Sequence, residues 1–165
     1  MSLPSWAVAT PDRVAHIERV AALLAAWATA MRVPDAERAR WLRAAWLHDA
    51  LRHAPAATEL EHGPMAAARA AADGERDRGV LDAVRYHSIG YAGWDDAGRM
   101  LYIADFLEPG REFDRPDRAA LAARVPQARD EVLVEVARRR IKWALSSGWR
   151  LPAETVDFWN SLVRP

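Results

Sequence analysis

Apolar residues in this chain recur every three or four positions from Val14 to Leu162, and no stretch of strand length alternates apolar with polar side chains. That period matches the turn of an α-helix, so the chain can bury its apolar surface only by packing helix on helix. Val14, Ile17, Val20, Leu24, Trp27 and Met31 mark the first stripe. Thr10-Pro11-Asp12 opens it with a hydroxyl cap and a proline at the first helical position. Val33-Pro34-Asp35 breaks that helix and begins the next, which carries Trp41, Ala45, His48, Asp49 and Arg52 and stops before Pro55. A short alanine-rich helix is expected from Met65 to Ala72, ended by Asp73-Gly74. Val80, Leu81, Val84 and His87 mark a fourth helix, and Met100, Leu101, Ile103, Ala104 and Leu107 a fifth. Residues 113–123 read as a loop or short helix, followed by a long amphipathic helix from about Gln127 to Ser146 and a last one from near Pro152. The fold expected is all-α, a single-domain bundle of seven or eight helices over 10–165, with 1–9 as an N-terminal extension. Trp27, Trp41, Trp46, Trp143 and Trp149 fall on apolar stripes or at helix ends and are expected in the core.

Charge and composition narrow the function. The 23 basic and 23 acidic residues cancel, which disfavours general nucleic-acid binding. There is no cysteine, so a metal has only histidine nitrogen and carboxylate oxygen to bind. The start MSLPSWAVAT has neither a basic opening nor a long apolar run, and no apolar stretch reaches membrane-span length, so a cytoplasmic protein is expected. Lys142 is the one lysine among the 23 basic residues, a bias read as coding preference.

Polar residues in apolar settings appear in the order His16, His48-Asp49, His62, His87, Asp105. Taken singly, each has an ordinary reading: His62 leads into a helix, and His87 caps one. His53 lies in a polar turn and is expected to be exposed. Asp105, between Ala104 and Phe106, is a carboxylate in an apolar helix and needs partners. Histidine with carboxylate suits iron, manganese, cobalt or zinc. Asp49 has two oxygens, enough to bridge two ions. Helices of one bundle readily bring such residues together.

The words around these residues make the chain resemble the HD-domain superfamily of metal-dependent phosphohydrolases, and within it the YqeK-like symmetrical bis(5′-nucleosyl)-tetraphosphatases. They are VAHIERVAALLAAWA, AAWLHDAL, EHGPMAA, AVRYHSIGYAGW, LYIADFLEPGREF and, more weakly, ETVDFWN. The resemblance implies that His16, His48, Asp49 and Asp105 are metal ligands. His62 and His87 would complete the site, as ligands of a second ion or as groups facing phosphate. It implies one or two ions, commonly iron, and hydrolysis of diadenosine tetraphosphate into two ADP. Other HD-type nucleotide phosphatases, or a non-catalytic nucleotide-binding module, are the alternatives, and a homodimer stays open. The sequence departs from the family at Arg52 (usually Lys), Ser88 (Thr) and Trp159 (Arg).

Phosphoanhydride cleavage needs an activated water, neutralised charge and alignment. Asp49 is expected to orient the water or take its proton, and His87 to protonate the departing ADP or bind an ion. Arg111 is the first candidate phosphate clamp, with Arg52 and Arg99 behind it, and Ser88 lies beside the site. Tyr91 and Trp94 either stack a base or pack their loop onto the bundle.

Overall fold

The computed structural model describes residues 1–55 and 57–163. Its regular structure is seven helices: α1 (Pro11–Ala30), α2 (Asp35–His48), α3 (His62–Ala72), α4 (Arg78–Tyr86), α5 (Asp96–Leu107), α6 (Arg115–Ser146) and α7 (Ala153–Leu162). α5 is the axis of the bundle and packs on α1, α2, α4 and α6. It is buried nearly all round, and its sequence is correspondingly apolar except at the ends and at Asp105. Trp27 and Trp41 enter the core around it, with Leu24, Leu101, Tyr102 and Phe158. Truncating a core leucine such as Leu101 costs about 2–5 kcal/mol in packings of this kind.

Local signals explain the boundaries. Thr10 accepts the amide of Arg13, Asp77 that of Val80 and Asp95 that of Ala97, so α1, α4 and α5 start on side-chain caps. α3 begins at His62, earlier than the spacing of its alanines suggests. Pro64 falls in its first turn, where an amide donor is not needed. Residues 1–9 run back along the bundle: the Val8 amide donates to Ala50 O at 2.7 Å, and the Trp6 indole to Asp73 at 3.0 Å.

Three expectations change. α2 ends at His48, short of Pro55, with Asp49 as its C-cap (φ −111°, ψ 14°) and Arg52 in the turn beyond. The loop or short helix at 113–123 and the long helix after it are one element, α6, bent at Ala128 (φ −143°, ψ 42°) just past Pro126. Proline has no amide for the carbonyl four residues back, which is that of Ala122. The Trp27 indole of α1 donates to that carbonyl instead, at 3.1 Å, so the kink is also a docking point. Trp143 and Trp149 are exposed, by 59% and 42%, and are not core. Past the end of α5 the α6 helix meets α7, where Arg138 lies over the Trp159 ring, and both tryptophans stay open to solvent. Among the described residues no helix is long and apolar enough to cross a membrane.

A candidate two-lobed metal centre

The polar residues singled out in sequence meet at one end of the bundle. His16 lies near the start of α1, His48 and Asp49 at the end of α2, His62 at the start of α3, His87 at the end of α4 and Asp105 near the end of α5. All six are buried. Asp49 is the shared member. Its Oδ2 faces His16 Nε2 (3.7 Å) and His48 Nε2 (3.4 Å), and its Oδ1 faces His62 Nε2 (3.1 Å) and His87 Nε2 (3.4 Å). Ligand atoms of His16, His48 and Asp49 lie within 4.8 Å of one another, as do those of Asp49, His62 and His87. Asp105 joins the first lobe, with Oδ1 3.1 Å from His16 Nε2 and 4.0 Å from His48 Nε2.

The outward nitrogens fix the tautomers. Nδ1 of His48 meets Ala45 O at 2.7 Å, that of His87 meets Val84 O at 2.7 Å, and that of His62 meets Thr58 O at 3.2 Å. A carbonyl only accepts, so each Nδ1 carries a proton and each ring turns its Nε2 inward. His16 differs: its Nδ1 lies 3.1 Å from Oε1 of Glu108, a fully buried carboxylate. Glu108 Oε2 accepts from Arg19 Nε (2.6 Å) and from the Gly110 amide (2.7 Å). Arg118, itself buried, donates to the carbonyls of Phe106, Glu108, Arg111 and Phe113 and so holds the turn after α5.

This arrangement fits a cation. The Nε2 atoms of His16 and His48 are buried beside carboxylates without a well-directed hydrogen bond among the described residues, a costly state that a bound ion would relieve. Nε2 of His62 and His87 approach to 3.0 Å, a contact between two lone pairs that needs a proton or a cation. Every donor is the hard or borderline type that first-row metals take. The acid–base state agrees. Burial opposes the charge on Asp49, yet His48, His62 and His87 hold its carboxyl well below the usual range. Burial likewise opposes Asp105, and Arg111, His16 and Arg140 more than compensate. Burial works against protonation of His16, but Asp105 and Glu108 raise its pKa on balance. Burial dominates at His87 and lowers its pKa, which favours the neutral ligand form. Glu108 drops to about 2: burial opposes this, and His16, Arg19 and the Gly110 amide prevail.

One glycine sets the spacing of the second lobe. A Cβ at Gly63 would lie 2.9 Å from the carbonyl oxygens of both Val84 and Arg85 and 3.2 Å from His87 Cε1. The bare backbone lets α3 press against α4, and this close approach brings His62 to His87.

The remaining expected residues divide. Arg111 reaches the centre and donates to Asp105 O (2.9 Å) and Oδ1 (2.8 Å). Ser88 Oγ stands 3.3 Å from His87 Nε2. Arg52 pairs with Glu59, away from the cluster's contacts, and Arg99 lies toward the opposite end of α5. Tyr91 stacks on Tyr86 with centroids 4.3 Å apart. Trp94 is buried and donates to Asp82 O at 3.0 Å, so it packs its loop onto the bundle. His53 is exposed, as expected.

Sequence reasoning overlooked Arg13, which reaches Asp49 Oδ2 at 2.8 Å, along with Glu108 and Arg140. Arg140 stacks on the Tyr102 ring at 4.3 Å and makes long contacts to Asp105 Oδ2 (3.4 Å) and Ser88 O (3.5 Å). The signals were there: Glu108 follows Asp105 by three residues, as the C-cap of the same apolar helix, and Arg140 follows Val136 by four in the α6 stripe.

An all-helical bundle whose helix ends converge on buried histidines and aspartates defines a metal-centred class of protein. Residues 13–119 match the HD domain, and the chain belongs to that family of phosphohydrolase-type folds. It is 28% identical over 104 residues to a symmetrical bis(5′-nucleosyl)-tetraphosphatase of Staphylococcus aureus, a match covering 62% of this chain and 54% of that one. To the Bacillus subtilis protein of the same name it is 38% identical over 106 residues, covering 64% and 56%. The match therefore spans about half the length of these curated relatives. The fold is also that of a predicted HD superfamily hydrolase involved in NAD metabolism from Clostridium acetobutylicum. There the TM-score is 0.75 at 21% identity, over 92% of this chain and 89% of that one.

Proposed function

We propose that the chain is a metal-dependent phosphohydrolase that splits diadenosine tetraphosphate symmetrically into two ADP. The observation that carries this reading is Asp49, whose two oxygens face separate histidine pairs. The printed names of the two curated relatives support the choice of substrate.

In this proposal His16, His48, Asp49 and Asp105 hold one ion, and Asp49, His62 and His87 a second. Iron is the proposed metal, with manganese, cobalt and zinc as the competing ones. Bound there, such ions supply a water of lowered pKa and polarise phosphoryl oxygens. The chain's own groups do the rest. Asp49 keeps its charge far below neutral pH and is a poor proton acceptor, so orienting the water is the role that suits it. His87, held neutral by burial, suits ligation more than acid catalysis. Arg111 and Arg140 both lean on Asp105, orienting it and offsetting its charge, and each is near enough to meet phosphate. Water adds to one inner phosphorus as the central bridging P–O bond breaks, leaving two identical nucleoside diphosphates.

Incubating the metal-loaded protein with diadenosine tetraphosphate and separating the products tests this. ADP alone is expected. AMP with ATP would exclude the symmetrical cut, and turnover only of mono- or triphosphates would point to another nucleotide phosphatase. Asp49→Ala should remove bound metal by elemental analysis and lower turnover by roughly 10²–10⁴-fold, the loss usual for an essential catalytic group.

A further inference from the structure

α5 and α6 run in parallel. Arg129 on α6 pairs with Asp96 at the start of α5 at 2.7 Å, and Arg140 reaches Asp105 near its end at 3.4 Å. α5 stops at Leu107, whereas α6 continues from Arg140 to Ser146. The last turns of α6 therefore overhang the end of the bundle where the histidine–aspartate centre is built. Trp143 stands three residues after Arg140, on the same helix face, with side-chain origins about 5–6 Å apart. Its indole is 59% exposed.

The chain then turns back. Gly148 takes a left-handed conformation (φ 74°), and the Trp149 amide closes on Ala144 O at 2.9 Å. This return places Trp149 against Trp143, with ring centroids 5.3 Å apart and planes at 61°. Two large rings are thus held in the open by a fixed backbone turn, one helical turn beyond an arginine in contact with the candidate centre. Lys142 and Arg150, both exposed, flank them with positive charge.

We propose that Trp143 and Trp149 form a stacking platform for the base of a nucleotide whose phosphates enter the centre beside Arg140. The proposal rests on reading that centre as a nucleotide phosphohydrolase. An aromatic face next to a row of cations suits a ligand with a flat π-system at one end and anionic phosphates at the other. A second copy of the chain suits it less. Two partly exposed tryptophans offer on the order of 250 Å², against roughly 800 Å² per partner in a stable interface.

The test is calorimetric binding to the metal-loaded full chain, with ADP and inorganic pyrophosphate as probes. Wild type should prefer ADP, and ADP should quench tryptophan fluorescence. Trp143→Ala and Trp149→Ala should each weaken ADP roughly five- to hundredfold, the usual range for one lost stacking contact. Their affinity for pyrophosphate should stay at the wild-type level, and Trp143→Phe should recover most of the ADP affinity. Unchanged ADP affinity in both alanine variants would overturn the platform, and so would equal loss of both probes. A wild-type dimer that Trp143→Ala dissociates, with ADP affinity intact, would overturn it in favour of a self-interface. Failure of the hydrolase reading looks different: diadenosine tetraphosphate stays intact while the preference for ADP persists and vanishes in Trp143→Ala.

Discussion

Each end of the bundle gathers charged side chains from several helices, and the two ends differ in how those groups are satisfied. At the end away from the histidines, Arg40 on α2 donates to Glu37 at 2.7 Å, to both oxygens of Asp77 at 2.7 and 3.0 Å, and to Asp95 at 2.5 Å. Asp77 and Asp95 are the caps of α4 and α5, so one guanidinium ties three helix starts together. Arg43 adds Glu75, and Trp41 donates to Glu37. Donors there meet acceptors. At the other end, two buried imidazole nitrogens make no well-directed hydrogen bond among the described residues, and two more face each other. The first cluster is finished by the protein alone. The second leaves donor atoms that the proposed ions would satisfy, and that difference separates structural charge from candidate functional charge more cleanly than residue type does.

The comparison can be broken by experiment. The largest effect should come from the metal itself. At a free concentration a hundred times its Kd, a stabilising ion adds about 2.7 kcal/mol, seen as a rise in Tm. Arg40→Ala should show the same increment from a lower baseline. No metal-dependent shift would mean that the histidine end is self-sufficient too. Glu108→Gln comes next. It keeps the shape and removes the charge behind His16, and loss of such a supporting group typically lowers metal affinity 10–100-fold. That loss should fall on the lobe containing His16, so titration should resolve one weakened and one unchanged site.

Arg40→Ala should cost about 1–3 kcal/mol in denaturant unfolding, as charge-assisted hydrogen bonds are lost, with metal content unchanged. The smallest effect concerns acid. Asp77 is lowered to about 2 from 3.8, chiefly by its hydrogen bonds from Arg40, against a smaller opposing effect of burial. A carboxyl with a depressed folded-state pKa stabilises fully above its unfolded value and loses that contribution as pH falls through the folded one. Asp77→Asn should therefore flatten the stability profile between about pH 4 and 2 and change little above it. A profile identical to wild type would show that this network adds nothing.

Much of this was legible in the chain. Helical spacing gave the class of fold, and the polar residues set into apolar stripes were the ones that converge. The signals that misled were local ones. A proline inside α6 read as a boundary because sequence shows the lost donor but not Trp27, which replaces it. Trp143 read as core because its spacing continues the stripe of Val136 and Arg140, and spacing does not say where the neighbouring helix ends. Arg52, expected from the resemblance, pairs with Glu59 in the turn after α2, and Arg99 lies toward the far end of α5, so neither joins the contacts of the cluster. Glu108 escaped because a carboxylate after a helix usually faces water, and the partners that hold it buried, His16 and Arg19, lie 92 and 89 positions away in the chain.

Gly63 carries a last consequence. The candidate metal-binding words of this chain are read by their histidines and aspartates, yet the second lobe depends equally on a side chain that is not there. With alanine at position 63, the methyl group would meet the Val84 and Arg85 carbonyls and wedge α3 from α4. Every ligand would still be spelled out in order, and a search by motif would count the protein as intact. Such a descendant would keep every candidate ligand and lose the geometry of the second lobe, a loss visible only at a residue that no list of ligands contains.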